Sequence, residues 1–131
     1  MAKHHILPGY PASMSPSSHA AESDNGLVYL TGQFGRDLGD PEAPLPAGIE
    51  AQTKRTLQNM RRVLGELGIG MDCVLSVRVF LTEFHRDYDA MNREYANFFP
   101  SGSRPARTCI GVNALVRNAL VEIDCVAERR S

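Results

Sequence analysis

Apolar and polar residues alternate along several stretches of this chain and recur at helical spacing along two others. Between Gly26 and Phe34, Val28, Leu30, Gly32 and Phe34 share one face, and Leu27, Tyr29, Thr31 and Gln33 take the other. That period of two predicts a strand, with Gly32 marking a bulge or a place of close approach. Asp72 to Thr82 predicts a second strand, with Leu75, Val77, Val79 and Leu81 on one face and Ser76, Arg78, Phe80 and Thr82 on the other. The mixed character of that second face points to a subunit contact. Ile49 to Leu67 has helical spacing: Ile49, Thr53, Thr56, Leu57, Met60, Val63, Leu64 and Leu67 recur three or four apart, and Gly68 follows as a cap. Arg86 to Phe99 predicts a second helix, whose buried stripe is Tyr88, Met91, Tyr95, Phe98 and Phe99 and which Pro100 ends.

The stretch from Arg104 to Ala127 predicts two strands joined by a short polar loop. Thr108, Ile110, Val112 and Ala114 alternate with Arg107, Cys109, Gly111 and Asn113; Val121, Ile123, Cys125 and Ala127 alternate with Glu122 and Asp124. A hairpin is the expected pairing. Its apolar faces coincide if Val112 lies opposite Val121, Ile110 opposite Ile123 and Thr108 opposite Cys125. The loop is then Leu115 to Asn118, and asparagine tolerates the left-handed turn conformation. In this register Glu122 faces Gly111, Asp124 faces Cys109, and Arg107 projects from the same face about 13 Å from Gly111. A solvated outer face has this composition, and so does a site with one cation and two carboxylates.

The order strand, helix, strand, helix, strand, strand predicts an α+β fold: one mixed sheet with both helices on one face. Residues 1–131 form a single domain in this reading, with 1–24 an irregular arm rich in Ser, Pro, Ala and His. Arg36 to Gly48 holds three prolines and two glycines and is expected to be a loop at the rim of a cleft.

Composition narrows the function classes. A net charge of -1 gives no electrostatic case for nucleic acid or an anionic membrane, and no apolar run reaches the length of a membrane span. Three cysteines, Cys73, Cys109 and Cys125, lack C-x-x-C spacing, as expected of reduced thiols in a cytoplasmic protein. His4-His5 lacks a third metal ligand at suitable spacing, and the acidic residues beside His85 suit a helix start better than a metal. Ser17, Ser18 and His19 are too close in sequence to make a nucleophile-base pair. Gly65, Gly68 and Gly70 follow a helix rather than a strand, so no phosphate loop is expected.

Pro105-Ala106-Arg107-Thr108-Cys109, followed by Val121-Glu122-Ile123-Asp124, resembles the C-terminal signature of the RidA/YjgF family of reactive-intermediate deaminases. Thr31-Gly32-Gln33, Gln52-Thr53 with Asn59-Met60, and Asn92, Tyr95 and Phe98-Phe99 resemble further family segments in the same order, so the likeness runs from about Gly26 to Arg129. It implies a chorismate-mutase-like fold, a homotrimer with a central barrel, and sites in the clefts between subunits. It also implies hydrolysis of enamines and imines such as 2-aminoacrylate to a keto acid and ammonia, without metal or organic cofactor.

Residue by residue, the resemblance makes Arg107 the anchor of the substrate carboxylate and Glu122 the group that orients water and exchanges protons. Cys109, Gly32, Thr31 and Asn92 would line the substrate pocket. A structural ion pair with Asp124 is the other reading of Arg107. Arg107 and Glu122 either converge over the substrate within one chain or come from neighbouring subunits. Three positions depart from the family pattern: Ser17 replaces a common tyrosine, Thr31 a serine and Val116 a proline. They leave open another imine or enamine as substrate and reduced or absent activity on 2-aminoacrylate. Two other classes stay open beside these: a non-catalytic small-carboxylate-binding module, and the ribonuclease or translation-inhibitor activity linked to some members, against which the weakly acidic balance argues.

Overall fold

The computed structural model describes residues 1–130. Six strands form one mixed sheet in the order β1-β2-β3-β6-β4-β5. They are β1 (Lys3–His5), β2 (Ala20–Glu22), β3 (Leu27–Gln33), β4 (Val74–Leu81), β5 (Ala106–Gly111) and β6 (Val121–Glu128). Helices α1 (Ile49–Glu66) and α2 (Phe84–Ala96) pack together on one face, as the periodicity predicts. The helix cap at Gly68 is observed, at φ +76°.

The core lies between helices and sheet. Leu57, Met60 and Leu64 of α1 and Met91 of α2 meet Val28, Val77, Val79, Leu81, Val121 and Ile123, all at 0–1% exposure. Truncating any of the large ones to alanine costs roughly 2–5 kcal/mol. Two polar side chains of α1 join this layer. Asn59 Nδ2 donates to the carbonyls of Phe34 (3.0 Å) and Arg36 (2.8 Å), and Gln52 bridges Pro46 O and Leu120 N. They hold the loops at the ends of β3 and β6.

The hairpin expected from the C-terminal stretch does not form. β5 pairs only with β4, in parallel, and β6 enters between β3 and β4, antiparallel to both. The chain after β5 wraps the end of β4 through a 3-10 turn at Val116–Asn118, where Arg117 (φ 53°) and Asn118 (φ 55°) take the left-handed conformation. A central strand buries both flanks, and the unbroken inward set Val121, Ile123, Cys125 and Ala127 suits β6 to that position.

The facing of β5 is also inverted. Arg107 is registered with Val77 and Cys109 with Val79, so both turn toward the helices, while Ile110 is 46% exposed on the opposite face. The aromatic rings of α2 accept the guanidinium there, which an apolar-in rule overlooks. Two further differences are local. A register shift between Val74 and Ser76 turns Leu75 outward and Val74 inward. The arm, expected to be irregular, contributes β1 and β2 to the sheet edge.

The sheet face away from the helices is uncovered. It carries Tyr29 at 51% exposure and Ile110, with Phe80 beside Arg78 and Asp124, which form a two-bond ion pair at 3.0 and 2.6 Å.

Candidate active site

Two separate hollows hold the residues singled out in the sequence, except Cys109, which lines neither. The first, about 290 Å³, is lined by Asn92, Tyr95 and Ala96 of α2 and by Arg104, Pro105 and Arg107. The Arg107 guanidinium lies 4.8 Å from the centroid of the Tyr95 ring and 6.0 Å from that of Tyr88. Both rings come from the buried stripe of α2, so helical spacing builds the platform and β5 delivers the cation onto it. Among the described residues Arg107 has no ion-pair partner; Asp124, the alternative, is engaged by Arg78 on the other face. Asn92 Oδ1 and the Tyr95 hydroxyl are buried without a hydrogen-bond partner in the described residues. Burial pushes the Tyr95 hydroxyl up to about 12 against the pull of Arg107, so it stays protonated and able to donate. Cys109, half-buried beside Arg107, is also pushed up by burial, with Arg107 opposing. Its thiol is therefore a poor nucleophile, and it does not border this hollow, where the resemblance places it.

The second hollow, about 190 Å³, holds Glu122, Thr31, Gly32 and Gln33, with Val116 and Arg36 on one side and Ser13, Met14, Ser15 and His19 of the arm on the other. The space at Gly32 is filled by Glu122: a methyl group built there would collide with Oε2 and lie 3.0 Å from Cδ. Glycine at this bulge in β3 thus admits the carboxylate of β6. Burial pushes the Glu122 carboxyl up, with a smaller push from the Asp124 charge, and no hydrogen bond to it is present among the described residues. The Thr31 hydroxyl donates to Ser18 O at 2.6 Å and ties the arm to β3.

Sequence reasoning gave no site role to His19, weighed there only as a base beside Ser17 and Ser18, or to Arg36, and both shape this second hollow. His19 is 8% exposed; its Nδ1 accepts from Leu7 N (2.8 Å) and its Nε2 donates to Pro11 O (2.9 Å), which fixes the neutral ring in one tautomer. It pins the arm segment that roofs the hollow. Arg36, at the end of the β3 loop, donates to Ala12 O at 3.1 Å and, more weakly, to Pro11 O at 3.5 Å. Neither lies in a periodic segment, so pattern reading had no signal for them.

The two hollows open on different faces. Glu122 is registered with Phe80 and projects away from the helices, whereas Arg107 projects toward them. Within one chain they do not converge, so the hairpin face shared by Arg107, Cys109 and Glu122 is not a feature of this fold. Among the described residues no group of three or more His, Cys, Asp or Glu side chains is placed to hold a metal ion. Among the described residues no helix is long and apolar enough to cross a membrane.

Comparison with known proteins supplies the family. The chain is 34% identical to the 3-aminoacrylate deaminase RutC of Acinetobacter baylyi over 128 residues, covering 97% of this chain and 98% of that protein. It is 32% identical over 117 residues to the 2-iminobutanoate/2-iminopropanoate deaminase of Mus musculus, covering 89% and 84%. The crystal structure of YyfA from Yersinia pestis, a protein of the conserved Rid family, superposes with a TM-score of 0.87 at 29% identity, covering 98% of this chain and all of that one. The family profile described as Endoribonuclease L-PSP matches residues 9–129, and with these relatives it establishes that the chain belongs to the RidA/YjgF family.

Proposed function

We propose that this protein hydrolyses reactive enamines and imines to 2-keto acids and ammonia, at sites completed between the copies of a homotrimer. The observation that carries this reading is the Arg107 hollow: a guanidinium on two aromatic rings, bordered by Asn92. Among the described residues the guanidinium has no ion-pair partner and the buried Asn92 Oδ1 no hydrogen-bond partner. A small carboxylate would satisfy the cation through its planar fork, and an imine N–H would satisfy the amide oxygen. The deaminase names of the two relatives agree with this chemistry.

Glu122 is the acid-base group in this reading. Water attacks the carbon of the protonated imine, the C=N π pair moves to nitrogen as the C–O bond forms, and the Glu122 carboxylate takes the proton that water gives up. Glu122 then returns that proton to the amino nitrogen of the carbinolamine. The C–N bond breaks as the C=O bond forms, and the hydroxyl proton passes through Glu122 to the departing ammonia, which leaves as ammonium. A carboxyl held above its usual range by burial is suited to both halves of this exchange. No metal or organic cofactor takes part. In this reading the uncovered sheet face with Tyr29, Phe80 and Ile110 is the surface on which copies associate, and Arg107, on the helix side of the edge strand β5, meets a neighbouring copy's Glu122 around that edge. The three free thiols fit the cytoplasm, and the near-neutral charge fits a small-molecule substrate better than RNA.

The test supplies amino acids to an imine-generating oxidase and follows loss of the imine, with light scattering for the mass in solution. Turnover with a mass of about three chains is expected. Arg107→Lys should lose most activity and Arg107→Ala nearly all, since charge-assisted hydrogen bonds contribute roughly tenfold to a hundredfold in binding. Pyruvate should raise the Tm of the wild type and leave that of Arg107→Ala unmoved. A pyruvate response without turnover identifies a binding module, and a strict monomer removes the shared site.

A further inference from the structure

We propose that the Glu122 hollow takes ligands with a second, distal anionic group, and that Arg36 is the residue that selects them. The substrates are then imines of acidic amino acids, or closely related dicarboxylates. The assignment of Glu122 to chemistry and the placing of the first carboxylate on a neighbouring copy's Arg107 rest on the deaminase reading; the free charge of Arg36 in the Glu122 hollow does not.

The argument starts from charge. Glu122 and Arg36 line one cavity of about 190 Å³, yet they form no ion pair. Arg36 is paired with no carboxylate among the described residues. Its guanidinium donates to two backbone carbonyls, one of them at 3.5 Å, which orients it without neutralising it. Arg117 stands close enough for its charge to act on Arg36, and it too is held only by carbonyls, those of Pro41 (2.7 Å) and Ala43 (2.9 Å). Burial and the Arg117 charge together lower the Arg36 pKa, so the cation is held in an unfavourable place that an anion would relieve.

Nearby carboxylates do not fill that role. Asp37 spends Oδ1 on the backbone N–H groups of Gly39 and Asp40. Glu42 borders the adjoining hollow with Arg36 and Arg117 but forms no ion pair with either.

Position completes the case. Arg36 is held from below: Asn59 fixes its carbonyl from α1, and the Phe34 ring lies 5.8 Å beneath the guanidinium. A cation this well oriented, in the hollow of the acid-base carboxylate, discriminates among ligands at little cost in ordering. With the first carboxylate on Arg107 of a neighbouring copy and the reacting carbon at Glu122, the ligand's far end meets Arg36. A neutral side chain there would leave the cation unpaired, which is how a polar pocket rejects an apolar analogue.

Calorimetry with matched keto acids tests this: oxaloacetate against 2-oxobutyrate, and 2-oxoglutarate against 2-oxopentanoate. The wild type should bind at least one diacid roughly tenfold more tightly than its partner. Arg36→Gln, which keeps a donor for the Ala12 carbonyl but removes the charge, should bring that ratio close to one, and Arg36→Lys should restore part of it. Preference for the monoacids, or a diacid preference that survives in Arg36→Gln, overturns the proposal. If Arg36→Gln does not fold, salt decides: the wild-type preference must shrink as ionic strength rises, and a salt-independent preference overturns the proposal. Imine hydrolysis is scored separately with alanine and aspartate. A protein that prefers diacids but hydrolyses neither imine sinks the deaminase reading alone. One that hydrolyses the alanine imine with no diacid preference sinks this inference alone.

Discussion

Arg107 and Glu122 project from opposite faces of one sheet, with β4 lying between the strands that carry them. If they act together, they act from different copies of the chain. Arg107→Ala and Glu122→Gln, each nearly inactive alone, should therefore complement when co-expressed. With random mixing in a cyclic trimer about a quarter of the sites pair an intact Arg107 with an intact Glu122, so about a quarter of wild-type activity is expected. Activity no higher than that of either variant alone would place both groups in one chain's site or remove one from the chemistry.

Glu122→Gln separates catalysis from stability. Turnover should fall by ~100- to 10,000-fold. Stability should move the other way. Burial raises the folded-state value of this carboxyl, so the folded chain holds the proton more tightly than the unfolded one. The stability linked to Glu122 is thus fully present below the ordinary carboxyl range and is lost as pH rises through the raised value. Glutamine avoids that loss, so the variant should melt above the wild type at pH 7 to 8. The difference should vanish on acidification to about pH 4. Each kcal/mol gained shows as roughly 4 °C in a domain of this size.

Gly32→Ala tests the close approach of β3 and β6. The added methyl meets the far end of the flexible Glu122 side chain, which has no hydrogen bond to hold it among the described residues, so the carboxylate is pushed aside and stability should fall by no more than about 1 kcal/mol. In a Glu122→Ala background the obstruction is gone and most of that loss should be recovered. Strict additivity of the two changes in chemical denaturation would mean that the glycine serves the backbone rather than the carboxylate.

Glu22 anchors the opposite end of the sheet. Its carboxylate accepts two bonds from Arg129 (2.9 and 3.1 Å) and one from His5 (2.9 Å), and these bring its pKa down to about 2. The sign is the reverse of Glu122: the stability it contributes is present above the ordinary carboxyl range and is lost as pH falls toward 2. Glu22→Gln should cost about 1.5–3 kcal/mol at pH 7. Melting curves of the two proteins should converge between pH 5 and pH 2.

Much of this architecture was legible from periodicity, because helices carry their pattern within one segment. The stripe of α1 and the inward set of β6 stand as the spacing predicts; in α2 Met91 and Tyr95 are buried, Tyr88 is half-buried, and Phe98 and Phe99 follow the end of the helix. Strand pairing is not local. Consecutive strands usually neighbour one another, so a hairpin was the default for β5 and β6, and nothing in either segment says that β4 lies between them. The inverted facing of β5 has a different origin. Arg107 looks polar in sequence, but Tyr88 and Tyr95 make an inward-facing bed for it. Arg107, Cys109 and Asn92 lie on the helix side, and Glu122, Gly32 and Thr31 border the other hollow, a division that follows from topology. His19 and Arg36 lie in loops, where only tertiary contacts give them meaning.

The insertion of β6 between β3 and β4 has a consequence for synthesis on the ribosome. Until residues 121–128 emerge, β3 and β4 have no strand between them, and each presents an unpaired backbone edge. The N-terminal pieces, β1-β2-β3 with α1 and β4-α2-β5, wait as two open-edged units that the last strand welds together. Such edges invite pairing with other nascent chains. Shielding of that gap until β6 pairs on both sides would limit such contacts. A stop codon ahead of residue 121 should leave an aggregation-prone product instead of a slightly shortened domain.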